Sequence, residues 1–491
     1  MIRTKIIATM GPAVADEKTL LSIFEAGVGV CRLNFSHGDL KGHADMLKLI
    51  RDAAKKFGRP VAVLGDLSGP KIRLGKIADE NGTGGMAVNV GDEVTVQREP
   101  MVGADKRVST ILDTFVDDVQ VGHRILVEDG LLRFVVTEKS ANAVTMSCTV
   151  GGILKSSKGI NLPNTIVNVP SITDKDFECT DWAVANDLDY LALSFVRRAD
   201  DIKLLRGHLQ YRKAPEIQLI AKIEKAEAIQ DIDNILAASD GLMVARGDLG
   251  VEMDVAQVPI IQKDLICRCQ RAGKPVIVAT QMLQSMIEQA SPTRAEVSDV
   301  ANAIFDGTDA VMMSAETSVG KFPLGAVHTM AHVADTTEKY LDTAAQGQNR
   351  APNVEGDPYA QSIAKGAWRI ATDAKVKLVV IWSQRGTTAR FFSKHHFPCP
   401  IIALSSELRT LRRLALSYGV TPHELKRHAN INDLIADVDR LILEHKYAET
   451  DDKILIVAGW SPAMPDMMNS AILHTVGQRW TALSPTTSER S

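Results

Sequence analysis

No uninterrupted apolar run in these 491 residues reaches the roughly 18 needed to cross a bilayer, so a membrane span is not expected. The opening Met1-Ile-Arg-Thr-Lys-Ile-Ile lacks the layout of a secretory signal. Excess charge is also missing: 56 Lys and Arg against 60 Asp and Glu leave a net of −4. That balance gives no reason to expect nucleic acid or an anionic membrane as partner. Cysteine is scarce, and the six present (Cys31, Cys148, Cys179, Cys267, Cys269, Cys399) show no C-x-x-C spacing. A zinc ribbon or disulfide framework is therefore not expected, and six buried thiols in a reducing cytoplasm are. Hydrophobic content of 45% with 24% charged residues suits a large globular enzyme, of about three domains by length.

What the chain does have is a series of short apolar runs that read as buried strands: 4–10, 28–35, 60–67, 190–195, 217–224, 241–248, 275–282 and 309–316. Stretches with helical spacing lie between most of them, such as 19–26, 42–57, 200–210 and 256–272. Alternation of strand and helix implies a parallel sheet, and eight units imply a closed (β/α)8 TIM barrel. Such a barrel keeps its chemistry at the C-terminal strand ends. The polar residues fall there: Arg32, Asn34, Asp66, Ser194, Lys222, Glu224, Arg246, Asp248, Thr280, Ser314 and Glu316.

Two runs are the most informative, Ile217–Glu224 and Gly241–Asp248. If each is a strand to its end, Lys222 projects beside Glu224 and Arg246 beside Asp248, because i and i+2 share a face. Paired carboxylates suit an oxygen-loving divalent cation such as Mg2+, and the lysine adds charge where phosphate or enolate charge develops. The alternative for either run alone is a structural ion-pair network.

Between the third and fourth strands the pattern changes to short alternating strands with turn signals such as Glu128-Asp-Gly and Val150-Gly-Gly. This reads as a small β-barrel or sandwich inserted in a βα loop, placed to act as a lid. A polar stretch at 344–350 precedes a third unit of alternating strands and helices, an open α/β sheet. The expected division is 1–70 and 170–343 for the barrel, 71–169 for the lid, and 344–491 for the C-terminal unit.

Several motifs resemble those of the pyruvate kinase family across nearly the whole chain: Cys31-Arg-Leu-Asn-Phe-Ser-His-Gly38, Gly69-Pro-Lys-Ile-Arg73, Lys158-Gly-Ile-Asn-Leu-Pro163, Ile220-Ala-Lys-Ile-Glu224, Met243-Val-Ala-Arg-Gly-Asp-Leu-Gly250, Ala279-Thr-Gln-Met-Leu283 and Met313-Ser-Ala-Glu-Thr317. The resemblance implies phosphoryl transfer from phosphoenolpyruvate to ADP, giving ATP and an enolate that is protonated to pyruvate. It implies Glu224 and Asp248 as ligands of Mg2+ (or Mn2+), Lys222 against the transferring phosphoryl, and Arg32 and Arg73 as clamps on its oxygens. Arg246, Gly247, Asp248 and Thr280 would serve the substrate, with Thr280 and Ser314 orienting the water that protonates the enolate. Asn34, His37, Arg73 and Lys158 would meet the nucleotide; Ser157 stands where the pattern often has a second lysine.

The resemblance also implies a cytoplasmic homotetramer with an effector site for a phosphorylated metabolite, a sugar phosphate or AMP. Ser383, Arg385, Gly386, Thr387 and Thr388 follow a strand and precede a helical stretch, where N–H groups and hydroxyls form a phosphate cradle. Many family members need K+, held at positions matching Asn34, Ser36, Asp66 and the Leu67 carbonyl. K+-requiring relatives usually carry Glu where this chain has Lys71, so its ammonium is expected to stand in and K+ not to be required. Two rivals remain at this stage: a Mg2+-dependent phosphoenolpyruvate or pyruvate-enolate lyase or transferase on the same barrel, and a non-enzymatic sensor. The sensor would keep the C-terminal pocket and lose Lys222 or a metal carboxylate, and all of those residues are present.

Overall fold

The computed structural model describes residues 1–79, 82–163, 165, 167, 169–344, 354–428, 430–459 and 470–478. The polar linker read at 344–350 lies outside them beyond its first residue. Eight parallel strands close a barrel: β1 (Lys5–Thr9), β2 (Val28–Asn34), β3 (Ala62–Asp66), β4 (Tyr190–Leu193), β5 (Gln218–Ile223), β6 (Gly241–Ala245), β7 (Val276–Ala279) and β8 (Ala310–Met313). Neighbours in sequence are neighbours in the barrel, and β8 pairs with β1. These strands are apolar on both faces because both are covered. Ile7, Val30, Leu64, Ile220, Met243 and Ile277 fill the interior, while Ile6, Val63, Leu219, Leu242 and Val278 pack against the helices outside.

Helix ends follow local chemistry. Asp39 caps Leu40–Phe57 by accepting the Gly42 N–H, and Gly58 ends that helix at φ +75°, where a Cβ is disfavoured. Thr293 and Glu296 form a reciprocal capping box on Arg294–Phe305.

The inserted unit has its own core, including Phe115, Phe134, Val94 and Met146. Its six-stranded sheet runs in the order Ile160–Asn161, Arg124–Val127, Leu132–Lys139, Ala143–Val150, Glu93–Gln97 and Arg107–Ser109, beside a two-stranded ribbon. Two chain passes join it to the barrel, with Arg73 bridged antiparallel to Gly159. A Cβ on Gly159 would stand 2.8 Å from Lys71 Cε, so the lysine side chain crosses directly over that glycine.

The C-terminal unit is a five-stranded sheet in the order Val420–Glu424, Ile401–Ser405, Val379–Trp382, Lys453–Ala458 and Ser470–Thr475, the last antiparallel. The first and last were not expected from the sequence. Pro422 interrupts the pattern of one, and proline is tolerated there because the strand lies at an edge.

Several expectations fail, and the runs 190–195 and 275–282 also end early as strands, at Leu193 and Ala279. The run 241–248 is not strand throughout: β6 ends at Ala245, where its pairing with β7 stops, and Arg246–Glu252 is helix. Arg246 and Asp248 are therefore about 200° apart around a helix axis rather than on one strand face. The run 309–316 likewise ends at Met313 and turns into the helix Ala315–Ser318. Cys267 is exposed on the helix Val258–Arg271, while the other five thiols are buried. Among the described residues no helix is long and apolar enough to cross a membrane.

Candidate active site at the C-terminal mouth of the barrel

Lys222 sits near the end of β5, and its ammonium meets three oxygens. It lies 3.1 Å from Asp66 Oδ1, 3.0 Å from Glu224 Oε1 and 2.7 Å from Ser194 Oγ. Glu224 follows β5, so the expected neighbour of Lys222 is in place. Burial opposes the ammonium, but the carboxylates of Asp66 and Glu224 outweigh it and hold Lys222 above the ordinary lysine value.

Asp66, only 1% exposed, ends β3. Its second oxygen accepts Arg32 Nε at 2.7 Å, and Arg32 also donates to Thr9 Oγ1 at 3.0 Å. Burial alone would raise the Asp66 carboxyl; Lys222 and Arg32 hold it below its usual range. Glu224 behaves in the opposite way. Burial pushes its carboxyl up, and Asp248 nearby adds to the push, against the pull of Lys222. The Phe195 N–H donates to its other oxygen at 2.7 Å. Two carboxylates that disfavour each other's charge suit a bound cation.

Opposite them, Thr280 follows β7 at φ +70° and Gln281 follows at +55°, a backbone region costly for a β-branched residue. The Thr280 hydroxyl accepts the Gly247 N–H at 2.7 Å and donates to the Ala279 carbonyl at 2.6 Å. Arg246 is held by Asp299 at 2.6 Å, the Thr280 carbonyl at 2.9 Å and Met282 Sδ at 2.8 Å. Arg246 thus fixes the Thr280 turn against the helix Arg246–Glu252. The Ser314 N–H donates to Glu316 Oε2 at 2.7 Å.

The predicted nucleotide residues are more dispersed. Asn34 Oδ1 accepts the Ser36 N–H at 3.2 Å, and His37 is exposed, with its carbonyl 3.0 Å from His43 Nε2. Arg73 donates to the Ser157 carbonyl at 3.0 Å across the lid hinge, and Lys158 pairs with Glu128 at 2.6 Å within the lid.

The model of the pyruvate kinase barrel domain matches residues 1–327, and that of the pyruvate kinase alpha/beta domain matches residues 361–474. Pyruvate kinase of Geobacillus stearothermophilus is 43% identical over 441 residues, 89% of this chain and 74% of its own length. That of Clostridium perfringens is 37% identical over 462 residues, 94% of this chain and 97% of its own length. The chain belongs to the pyruvate kinase family. As a pyruvate kinase it transfers the phosphoryl group of phosphoenolpyruvate to ADP, yielding pyruvate and ATP. Nothing in these likenesses favours a lyase, another transferase or a sensor.

Against that reaction the arrangement gains meaning. The cationic groups Lys222 and Arg32 share one buried acid, Asp66, so two positive charges stand together at the mouth. Sequence reasoning placed Ser194 among the strand-end polar residues but gave it no role, and it bonds Lys222 directly. It missed Glu252 entirely. That buried acid takes Lys225 at 2.6 Å and Asn161 of the lid at 3.0 Å, tying lid to barrel. No local pattern marks it, since its partners come from two distant segments.

Proposed function

We propose that Lys222 and Arg32 carry the phosphoryl transfer, with Arg73 reaching the same phosphoryl from the hinge. The observation that carries this reading is the Lys222 ammonium bonded to Asp66, Ser194 and Glu224 at the ends of three strands. A fixed ammonium beside a planar guanidinium matches the negative charge spread over a transferring phosphoryl group. Glu224 and Asp248 would hold Mg2+, or Mn2+ in its place. A pair of carboxylates suits Mg2+, which takes one or two and completes its shell with substrate oxygens and water. When bound, the cation supplies Lewis-acid charge at the phosphoryl and enol oxygens. Thr280, with Arg246, Gly247 and Asp248 around it, orients the substrate carboxylate, and Thr280 and Ser314 orient the water that protonates the enolate. Asn34, His37, Arg73 and Lys158 meet ADP as the lid, residues 71–169, closes on the barrel segments 1–70 and 170–343.

K+ is not required. Oxygens of the corresponding pocket already have partners: Asp66 has Lys222 and Arg32, the Leu67 carbonyl accepts Ser194 Oγ at 2.7 Å, and Asn34 Oδ1 accepts the Ser36 N–H. Lys71 brings a further fixed charge to the hinge, beside Lys225 and Arg197. Between the C-terminal unit, 344–491, and the barrel, a cavity of about 260 Å³ is lined by Arg385, Gly386, Thr387, Arg390 and Arg413 on one side and by Tyr190, Gln218, Asp240 and Pro275 on the other. Its guanidinium groups suit a phosphorylated effector, a sugar phosphate or AMP, in a cytoplasmic homotetramer; Ser383 and Thr388 flank it.

Direct Mn2+ titration of the full-length protein tests the metal assignment. Glu224→Gln and Asp248→Asn should each weaken binding by roughly 100-fold. Unchanged affinity in either variant refutes that ligand.

A further inference from the structure

Asp189 stands one residue before β4, at the opposite end of the barrel from the site, with its side chain fully buried. One carboxylate oxygen accepts the Val63 N–H of β3 at 2.8 Å and the Arg51 guanidinium at 3.2 Å. The other accepts Arg412 Nε at 2.6 Å. Its own N–H donates to the Val63 carbonyl at 3.1 Å, and its carbonyl accepts the Gln218 N–H, at the start of β5, at 3.2 Å. One residue therefore fixes β3, β4 and β5 together. Those strands lead to Asp66, Ser194 and Lys222, which bond one another at the far end.

Arg412 belongs to the C-terminal unit, on the helix Leu408–Leu414. Its guanidinium also reaches Asp187 at 2.5 Å, and its neighbour Arg409 pairs with Asp187 and Glu216. The Tyr190 hydroxyl, at the start of β4, donates to the Arg413 carbonyl at 2.5 Å. The helix thus holds the roots of β4 and β5 directly.

We propose that Asp189, clamped by Arg412, is a positioning residue for phosphoryl transfer: the bridge sets the axial placement of β3, β4 and β5 and so aims the Lys222 ammonium. Hydrogen-bonded, close-packed strands shift as rods rather than stretch, so a displacement at Asp189 arrives at Ser194, about 16 Å away, little diminished. Sub-ångström to 1 Å shifts matter there, because misplacement by about 1 Å costs up to 10²-fold in rate. Of the two metal carboxylates only Glu224 follows a clamped strand; Asp248 stands on a helix after β6, and Thr280 and Ser314, assigned to the enolate step, follow β7 and β8. The bridge therefore governs the phosphoryl step more than the enolate step. The same helix supplies Thr410, Arg413 and Leu414 to the proposed effector cavity, so a ligand there presses on the clamp. This inference rests on Lys222 acting at the phosphoryl group.

The test compares Arg412→Met, Arg412→Lys and Lys222→Met with the unmodified full-length protein. Three quantities are read: ATP formation from phosphoenolpyruvate and ADP, Mg2+-dependent exchange of the pyruvate methyl protons, and the thermal midpoint. Arg412→Met should lower kcat for transfer by about 10-fold, with the phosphoenolpyruvate KM and the proton exchange each within about twofold. Arg412→Lys should recover part of the loss, since an ammonium still reaches Asp189. Should Arg412→Met fail to fold, the ratio of the two rates in Arg412→Lys decides, with a fall of about threefold expected. Transfer and exchange falling in proportion would reduce the bridge to a structural contact, and an unchanged ratio in a folded variant would overturn the proposal. Lys222→Met with intact transfer would instead refute the reading of the site.

Discussion

Lys222 and Asp66 meet at 3.1 Å across the barrel mouth, with Asp66 1% exposed. The acid serves two cations, because Arg32 takes its other oxygen at 2.7 Å. Removing one partner from a buried pair leaves the rest uncompensated, which costs roughly 3 kcal/mol or more. Asp66→Asn should therefore lower the unfolding free energy by that amount, read as a fall in the urea midpoint at unchanged slope. The folded-state carboxyl is held below its usual range, so its stabilisation is present above the unfolded value and lost as pH falls through the folded one. The gap between the two proteins should thus close in acid, and a gap independent of pH would contradict the pairing.

Lys71 sits at the hinge where its stem crosses Gly159. A glutamate there reverses the local charge by two units, worth on the order of a few kcal/mol at partly buried separations. The unmodified protein should be substantially active with Mg2+ and tetramethylammonium as the only monovalent cation. Lys71→Glu should install a K+ requirement. Near silence of the unmodified protein without K+ would refute the substitution.

Thr387 opens a short helix after Gly386, which takes φ +81°. A carboxylate introduced at that turn repels a phosphate. Thr387→Glu should abolish the response of the activity curve to added sugar phosphates and AMP while leaving kcat at saturating substrate within about twofold. An intact response to every phosphorylated metabolite would show the pocket to be elsewhere.

Lys5 lies beneath the barrel, where its ammonium donates to the Val420 carbonyl at 2.6 Å. Burial, with Arg59 adding to it, lowers the Lys5 pKa from 10.5 to about 8. Below that pH the group is charged, and above it the amine is neutral and nucleophilic. Its labelling rate by a neutral acylating agent, followed by mass spectrometry, should rise through a midpoint near 8. A midpoint above 10 would contradict the burial.

The eight barrel strands were legible because burial on both faces leaves continuous apolar runs, and the polar residues read at their ends do stand at the C-terminal mouth of the barrel. Lys222 beside Glu224 was readable from spacing alone. Arg246 beside Asp248 was misread, since nothing local shows that β6 stops at Ala245; the stop depends on where β7 ends its pairing. Thr280 was named, but not its left-handed backbone, which follows from the tertiary hold of Arg246. Asp189 was invisible because its importance lies in partners from β3, β5, the helix Leu40–Phe57 and the C-terminal unit. Side chains that act through distant segments leave no periodic trace.

The most direct measurement is the pair of rates in Lys222→Met. Phosphoryl transfer to ADP should fall by ~10³-fold or more, since a charge aimed at the transferring group is worth several kcal/mol. Phosphoenolpyruvate affinity should change far less, and exchange of the pyruvate methyl protons should persist because Glu224 and Asp248 are untouched. Near-normal turnover in this variant would contradict the assignment of the site.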